Sequence, residues 1–470
     1  MAASFVPGGL AAAIEICALF ALLSMGALGF VLALIDVEEA VVLTLGLLIG
    51  LDLLAWKRFN QGRHPCFLLL CVLTLFQAGR FLAYIAGVEP APLRVGSISP
   101  FPFDISRADA GTVLLALALS ALCIYAPCRW SYRRGKPPSD DNIKKYLPYL
   151  YLLFYSTLPV QLFKNYKYYQ YIQEHGGYLQ FWINHGAVAS SVPFLVRTVV
   201  LINLPAFIGI FAFERRKRRL YVTTGLYFAS SVFTLLMGLR SGFSAMVLTL
   251  WYVAAMKSTK RSRVVAIASL AFALVIVGGM IQTLREDTSS SLSEYTFAPL
   301  QFVKAQGNSL EVTSTAIKYR QELAPHALSY LWNELQDAFV PRDVQDYAPG
   351  KRLSYDVTVL LNPVAFSRGR GTAGSYLAEL YLLGGIGAVG LFSLLIGTGL
   401  HLLNRASSNA LLLFVVATIL PDIILLPRGG LLGWTSELLR TAVSVALLWS
   451  GWQLYRFFFW LTQAPLQGNT

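Results

Sequence analysis

The sequence predicts an all-α polytopic membrane protein with about twelve transmembrane helices. The chain has 470 residues, of which 56% are hydrophobic and only 13% are charged. A soluble chain of this length would carry about twice that charged fraction, roughly 25%. The apolar residues also form blocks of about 20, which is the length that a helix needs to cross a bilayer, and they do not recur at amphipathic spacing.

These apolar blocks place the spans along the chain. In order, the predicted spans are residues 10–35, 40–56, 65–87, 109–127, 147–163, 190–213, 220–237, 242–256, 264–283, 385–403, 410–426 and 433–455. The pair 220–237 and 242–256 is short, so one broken or re-entrant element remains an alternative to two full spans.

The spacing of these spans divides the chain into three parts. Residues 1–283 form a bundle of nine spans, 284–384 form a large loop, and 385–470 hold three spans and a tail. Apolar and aromatic residues run through the loop, so we expect it to be folded, with helices near 306–320 and 331–345.

The formal net charge of +13 is the next constraint. In a soluble chain it would suggest a nucleic-acid partner, but cytoplasmic loops of membrane proteins collect Lys and Arg and thereby orient the helices. Four basic loops, at residues 57–64, 129–145, 214–219 and 257–263, fall on one side of the predicted topology. We therefore expect both termini in the cytoplasm, the 284–384 loop outside, and no nucleic-acid partner.

The cysteines indicate neither a disulfide framework nor a metal site, because they lie in apolar spans or at their ends and show no ligand spacing. They are Cys17, Cys66, Cys71, Cys123 and Cys128. The sequence also contains no phosphate-binding loop and no acidic metal motif, so we expect no cofactor and no catalytic metal.

Arg240 is the first candidate site residue, in the turn "GLRSG" (238–242) on the outer side. Glycines allow a tight turn that exposes backbone N–H groups, and an arginine beside such donors can bind a phosphate or diphosphate. The alternative is an arginine that extends its side chain to the outer surface for solvation alone.

A second candidate is "SRGRGTAGSYLAELYL" (367–382), where the outer loop returns to the membrane. Arg368 and Arg370 lie in a glycine-rich turn, and "GTAGSYLAELYL" (371–382) is expected to begin a helix. Ser375 and Glu379 then share one helix face, so Glu379 can pair with an arginine or accept a proton from a sugar hydroxyl. The alternative for Glu379 is a helix-end charge without a catalytic role.

The remaining candidates are isolated charged residues on the outer side. Arg197 interrupts an apolar run, Arg285 begins the outer loop, and Arg428 repeats the arginine–glycine pattern in "LPRGGLLGW". Arg285 can equally form a helix-end pair with a neighbouring acid. His326 in "ELAPHALSYL" is a candidate general base, although a loop histidine is more often simply solvated.

The chain resembles the Wzy-type O-antigen polymerases in its many-span layout with a large late loop, in the "GLRSG" turn, and in "QGNSL" followed by "GRGTAGSYLAELYLLGGIGAVG". The resemblance implies a GT-C-like membrane fold and metal-independent glycosyl transfer in the periplasm between undecaprenyl-diphosphate-linked oligosaccharides. By motif match it implies that Arg240, Arg368 and Arg370 bind diphosphate and that Arg240 and Glu379 are catalytic. Arg197, Arg285 and Arg428 are further candidates for diphosphate binding only because they lie among the arginines of the outer side, and His326 is the alternative base.

The resemblance also implies a location in the bacterial inner membrane, with membrane lipids, a chain-length regulator and a flippase as candidate partners. Two other functions remain open from the residues. An O-antigen ligase would transfer the same glycan to lipid A core, and a flippase would carry the lipid-linked sugar across the membrane. The large outer loop and the arginines concentrated on one side favour an enzyme over a transporter.

Overall fold

The computed structural model describes residues 8–59, 64–88, 93–95, 103–130, 146–174, 190–236, 240–257, 298–339, 350–367, 372 and 374–463. Within these ranges the chain is helical, apart from one two-residue antiparallel pair, β1 (Arg94–Val95) with β2 (Phe103–Asp104). The predicted all-α class is therefore confirmed.

The helices are numbered in chain order through the described ranges. They are α1 (Gly8–Ala33), α2 (Val37–Arg58), α3 (Pro65–Ile85), α4 (Arg107–Trp130), α5 (Leu147–Glu174), α6 (Phe194–Val200), α7 (Asn203–Phe213), α8 (Lys217–Leu236), α9 (Arg240–Lys257), α10 (Ala298–Gln306), α11 (Asn308–Lys318), α12 (Arg320–Leu323), α13 (Ala327–Asp337), α14 (Leu353–Leu361), α15 (Pro363–Ser367), α16 (Tyr376–Ala406), α17 (Ala410–Ile424) and α18 (Trp434–Gln463). Short 3-10 turns precede α13 (Ala324–His326) and follow α17 (Leu426–Arg428).

Every predicted span except 264–283, which lies outside the described residues, coincides with one or two of these helices. Five helical segments of the described chain are long and apolar enough to cross a membrane, which makes this a multi-pass membrane protein. They are Val37–Arg58, Pro65–Ile85, Arg107–Arg129, Phe194–Phe213 and Tyr376–Ala406. The full count of twelve spans and the GT-C-like fold stay predictions.

One predicted span is interrupted. Residues 190–213 were expected to form a single helix, but α6 and α7 are separated by a turn at Leu201 and Ile202. Pro205 supplies the reason, because it has no N–H to donate to the carbonyl of Leu201 and so cannot continue the helical ladder across the turn. Asn203 then begins α7 and donates to Thr157 Oγ1 of α5 at 2.9 Å.

The bundle packs as two groups of helices. In the first, α1 to α4 pack with α16, and α3 is the central member, with 83% of its span buried. In the second, α5 to α9 pack with α17, which also contacts α3 and α16. The helices α10 and α11, from the predicted outer loop, pack against α3 and α16, so the loop is part of the folded structure.

The outer loop has a hydrophobic core of its own. Tyr330 and Leu323 pack with Val312 and Val357, and the cluster continues onto Ala378 and Leu382 in the first turns of α16. Helices were predicted at 306–320 and 331–345; the first is α11, and the second is α13, which begins earlier, at Ala327. The start of α16 therefore belongs to the loop core, although its later turns continue into the bundle.

Helix α16 changes direction at a glycine pair. Gly384 (φ −164°, ψ 26°) and Gly385 (φ 64°, ψ −152°) leave helical geometry. The Gly385 conformation is accessible essentially to glycine alone. The 386–406 part that follows is about 31 Å long, which matches the hydrocarbon core of a bilayer. The predicted span 385–403 corresponds to this part, and Tyr376–Leu383 is a separate helical segment before the break.

Candidate functional site

The two arginine–glycine motifs found in the sequence meet in the fold. The Gly374 N–H donates to the Arg428 carbonyl at 3.0 Å. A Cβ added to Gly374 would lie only 2.9 Å from the carbonyl carbon of Gly429, so the two backbones approach closely enough to require glycine there. The motif that begins α16 and the motif that precedes α18 therefore form one structural unit.

Two glutamates hold the second motif from either side. Glu379 of α16 accepts the Leu431 N–H at 2.7 Å, and Glu334 of α13 accepts the next amide, that of Leu432, at 2.9 Å. A Cβ on Gly430 would lie 1.5 Å from Glu334 Oε1, so only glycine leaves room for this carboxylate. The paired glutamates, Glu334 and Glu379, thus share consecutive backbone donors of one short segment.

The two carboxylates differ in their access to solvent. Glu379 is buried, with 4% of its surface exposed, whereas Glu334 is half-buried. Burial raises the pKa of Glu334 from 4.5 to about 7, although the Leu432 amide stabilises its charged form. A carboxyl group with a pKa near the operating pH is suited to general acid–base catalysis.

A buried polar network fixes the start of α16. Gln77 of α3 donates to Ser375 Oγ at 3.0 Å and to the Pro427 carbonyl at 2.7 Å. Thr313 of α11 lies 2.8 Å from Ser375 Oγ and donates to Gln77 Oε1 at 3.2 Å. Ser375 is also the N-cap of α16, which confirms the predicted helix start and ties it to three other elements.

A buried ion pair lies next to this network. Arg80 Nη1 of α3 is 3.8 Å from Glu311 Oε2 of α11, and both side chains are almost fully buried. The helices approach closely here, because a Cβ on Gly79 would lie 2.6 Å from the Val303 carbonyl oxygen. Removing one member of such a pair leaves an uncompensated buried charge, so the pair holds α11 in place on α3.

Arg428 and Arg320 have different surroundings. Arg428 donates to Gln306 Oε1 and lies 5.2 Å over the ring of Phe76, so it connects the second motif to α10 and α3. Arg320 is exposed and lies 5.3 Å over the ring of Tyr381. Its Nη2 is 3.8 Å from the position of a Cβ on Gly385, at the break in α16.

The break in α16 at Gly385 and the side chain of Arg320 together form a positively charged region. The helical segment that resumes after Gly385 begins with backbone N–H groups that lack intrahelical acceptors, and such a helix start favours anions. Among the residues that the structure describes, no carboxylate forms an ion pair with Arg320. Tyr381 lies two residues after Glu379, about 200° around the helix, so Arg320 and the paired glutamates lie on opposite sides of α16.

Several predicted residues are not brought into this site by the described contacts. Arg240 begins α9, but its side chain is outside the described part of the chain, as are Arg285, Arg368 and Arg370 altogether. Arg197 lies on α6 with its guanidinium 5.8 Å from the Phe194 ring of the same helix, and α6 packs against α5 and α7.

His326 is an exposed residue just before α13. Its ring centroid is 6.2 Å from that of Tyr330, one turn further along the chain. The Tyr330 hydroxyl in turn donates to Asp356 Oδ2 at 2.5 Å, and burial raises the pKa of Tyr330 well above its usual value.

The sequence did not single out Glu334, Arg320 or Gln77. Each is an ordinary polar residue in a helical stretch, and its importance depends on contacts with distant parts of the chain. One signal was available for Glu334: the glycine pair in "PRGGLL" indicates that something packs against the backbone there.

Potential metal ligands cluster elsewhere in the described part of the chain. The one group of three there is His64, Cys66 and Cys128, at the opposite end of α3 from Gln77 and Arg80.

The comparison with protein families identifies a matching family model. The family model described as O-antigen polysaccharide polymerase Wzy matches residues 14–455, nearly the whole chain. Neither the curated proteins nor the solved structures contain a significant match. The match covers both the membrane helices and the loop that carries the paired glutamates. The chain therefore belongs to the Wzy family of O-antigen polysaccharide polymerases.

Proposed function

We propose that this protein polymerises undecaprenyl-diphosphate-linked oligosaccharide repeat units by metal-independent glycosyl transfer on the periplasmic side of the bacterial inner membrane. Polymerases of this family act on lipid-linked oligosaccharide repeat units in the membrane, which supports a polymerase over a ligase or a flippase. The observation that carries the proposal is the pair of glutamates on consecutive amides of the Arg428–Leu432 segment, whose Arg428 carbonyl accepts the Gly374 N–H.

The reaction joins a growing chain, the donor, to a single repeat unit, the acceptor. An acceptor hydroxyl oxygen attacks the anomeric carbon of the donor, and the bond from that carbon to the diphosphate oxygen breaks. Its electron pair leaves with the lipid diphosphate. The hydroxyl proton passes to a carboxylate and then to solvent. The chain must therefore supply a base for the hydroxyl and positive charge for the leaving group.

We assign the role of base to Glu334. Its side chain is half-buried, so it is less enclosed than that of Glu379, and its pKa of about 7 allows it to accept and release a proton near neutral pH. The sequence favoured Glu379 or His326 for this role. Glu379 is buried against the Leu431 amide, which suits a positioning residue that holds the Arg428–Leu432 segment.

Two lipid-linked substrates require two diphosphate sites. The donor diphosphate must lie beside the reacting carbon, where Arg368, Arg370 and Arg240 are the proposed ligands. The acceptor hydroxyl is separated from its own diphosphate by the length of an oligosaccharide. Arg320 and the break at Gly385, on the other side of α16, supply positive charge for that second diphosphate.

The basic loops support the proposed orientation. Helix α3 begins just after the basic sequence stretch 57–64, and α8 begins within the basic stretch 214–219; Lys and Arg accumulate in cytoplasmic loops. The paired glutamates lie at the opposite end of α3, which is then the periplasmic end. Candidate protein partners there are a flippase that delivers substrate and a regulator of chain length.

Polymerisation by the purified protein tests this function. The protein in detergent is mixed with a polyprenyl-diphosphate-linked repeat unit and a metal chelator, and products are separated on a gel. We expect a ladder from the wild type. Glu334→Gln should lower kcat by about 100-fold or more, Arg240→Ala should abolish the ladder, and Arg320→Ala should mainly raise KM.

Two exposed neighbours provide matched controls. Glu322→Gln removes an exposed carboxylate from α12, which precedes the helix that carries Glu334. Lys318→Ala removes an exposed cation near Arg320. Both variants should retain the ladder. A wild-type ladder that disappears with the chelator while the protein stays folded and monodisperse would contradict metal independence. Transfer only to a lipid A core acceptor would identify a ligase, and full activity of Glu334→Gln would remove Glu334 as the base.

A further inference from the structure

A buried cluster of soft donor atoms lies at the other end of the α3–α4–α16 bundle. His64 precedes α3, Cys66 lies in its first turn, and Cys128 lies in the last turn of α4. The three side chains have no exposed surface, and one donor atom from each lies within 4.8 Å of the other two. The sequence spacing gave no indication of this cluster, because it is formed by two antiparallel helices.

The helices around the cluster are closely packed. The Cys128 thiol donates to the Gly397 carbonyl of α16 at 3.2 Å, and the Cys66 thiol is 3.8 Å from the Ile124 carbonyl oxygen of α4. A Cβ on Gly397 would lie 2.4 Å from that same oxygen, so α4 and α16 touch through their backbones. Cys66 and Cys128 therefore already lie close to each other, and α3 and α4 need not move to bring them together.

Packing alone is one explanation, since buried cysteines often behave as small apolar residues. It does not account for a fully buried imidazole beside both thiols. Two thiolates and an imidazole are the donor types of structural zinc sites, and soft sulfur ligands disfavour magnesium and calcium. A second imidazole, that of His401 on α16, lies parallel to the His64 ring with centroids 6.3 Å apart.

We propose that His64, Cys66 and Cys128 bind a structural Zn²⁺ ion that joins α3 to α4, with His401 within reach as a fourth ligand. In a tetrahedral site the sulfur atoms lie about 3.8 Å apart and each is about 3.6 Å from the nitrogen. The present separations are at most 4.8 Å, so the donors need to move by about 1 Å.

Zinc binding is balanced by proton release. Each thiol loses its proton to solvent as a zinc–sulfur bond forms, and the weak contacts to the Ile124 and Gly397 carbonyls are replaced. His64 Nδ1 accepts the Cys66 N–H at 3.1 Å, and a zinc–nitrogen bond at this atom would replace that helix cap. The loss of one side-chain cap is small beside the stabilisation that a structural zinc site contributes.

Metal content tests the proposal independently of polymerase activity. The protein is purified in detergent without chelators and without a polyhistidine tag, and its metals are measured by mass spectrometry. We expect about one zinc per wild-type chain and at least a fivefold loss in Cys66→Ser and Cys128→Ser. Cys123→Ser on α4 and Cys17→Ser on α1 should keep the zinc, because these thiols lie outside the cluster.

A second measurement covers the case in which the cysteine variants fold poorly. Wild-type protein is stripped with a chelator, confirmed to be monodisperse, and titrated with Co²⁺, whose thiolate complexes absorb strongly in the near ultraviolet. A saturable charge-transfer band at one cobalt per chain, competed away by zinc, would support the site. Stripped protein without this band, copper in place of zinc, or a Cys66–Cys128 disulfide in the purified protein would overturn it.

Discussion

The two ends of the α3–α4–α16 bundle use different chemistry on the same helices. At one end, Arg80, Glu311 and the paired glutamates place charge within a largely buried structure. At the other end, His64, Cys66 and Cys128 are buried groups that can remain neutral. Charge at the first end must be compensated by partners and backbone donors, whereas thiols and a neutral imidazole need hydrogen bonds only, and thiolates would be compensated by the proposed Zn²⁺ ion. The bundle therefore concentrates its electrostatic cost where chemistry is expected.

The largest expected effect is a loss of stability, and it tests the electrostatic cost of the buried charges at the first end. Arg80→Ala leaves Glu311 buried without its ion-pair partner, which should destabilise the protein by about 3–5 kcal/mol, measured by thermal unfolding in detergent. Replacing both residues, as Arg80→Met with Glu311→Leu, should recover most of the loss. If Arg80→Ala unfolds at the wild-type temperature, the Arg80–Glu311 pair does not hold α11 on α3 as proposed.

Gly430→Ala should affect activity more than stability. The added Cβ would overlap the Glu334 carboxylate, and a displacement of about 1 Å in a reacting group can lower the rate about 100-fold. Gly433→Ala is the matched control, because its Cβ would meet the Gly430 carbonyl oxygen at an ordinary 3.5 Å. Equal polymerisation rates for the two variants would argue against Glu334 as the base.

The pH dependence of stability tests the end of the bundle that carries the paired glutamates. Because the pKa of Glu334 is raised from 4.5 to about 7, the folded state binds more protons than the unfolded state between these values. Stability should consequently fall as pH rises through this window. We expect the wild-type melting temperature to decrease from pH 5 to pH 7, and Glu334→Gln to flatten that slope. An unchanged slope in the variant would assign it to another group.

The smallest expected effect concerns the start of α16. Ser375→Ala removes an N-cap and one member of the Gln77–Thr313 network, at a cost of about 1 kcal/mol. Ser436→Ala is a suitable control, since its exposed hydroxyl donates only to the Gly433 carbonyl one turn earlier. A shift in melting temperature larger than that of Arg80→Ala would reverse the proposed ranking of the contacts at this end.

The sequence predicted the membrane class, the family and most helix positions, because each of these is encoded locally in long apolar blocks and short motifs. It also predicted that a helix begins within "GTAGSYLAELYL" (371–382) and that Arg428 repeats the arginine–glycine pattern. It did not predict that the two motifs pack together, since that contact joins the Gly374 N–H to the Arg428 carbonyl across a full pair of helices.

The missed residues share a physical explanation. Glu334 became a candidate only when the fold placed it on the amide next to the one that Glu379 binds. Cys66 and Cys128 are far apart in sequence and meet because α3 and α4 are antiparallel, so the start of one helix lies beside the end of the other. Patterns within one helix cannot encode such contacts.

The glycine pair in α16 also determines how the helical segment before it is rotated relative to the segment after it. Each helical residue turns the chain by about 100°, so two residues outside helical geometry reset the direction in which the outer turns face. Gly385 has no neighbour close enough to exclude a side chain, but its backbone angles do exclude one. A substitution that straightened the helix would rotate Tyr376–Leu383 relative to the membrane part and turn Glu379 away from the Leu431 amide. Because of the break, Tyr376–Leu383 can face the loop core in a direction that does not depend on which side of residues 386–406 faces the lipid.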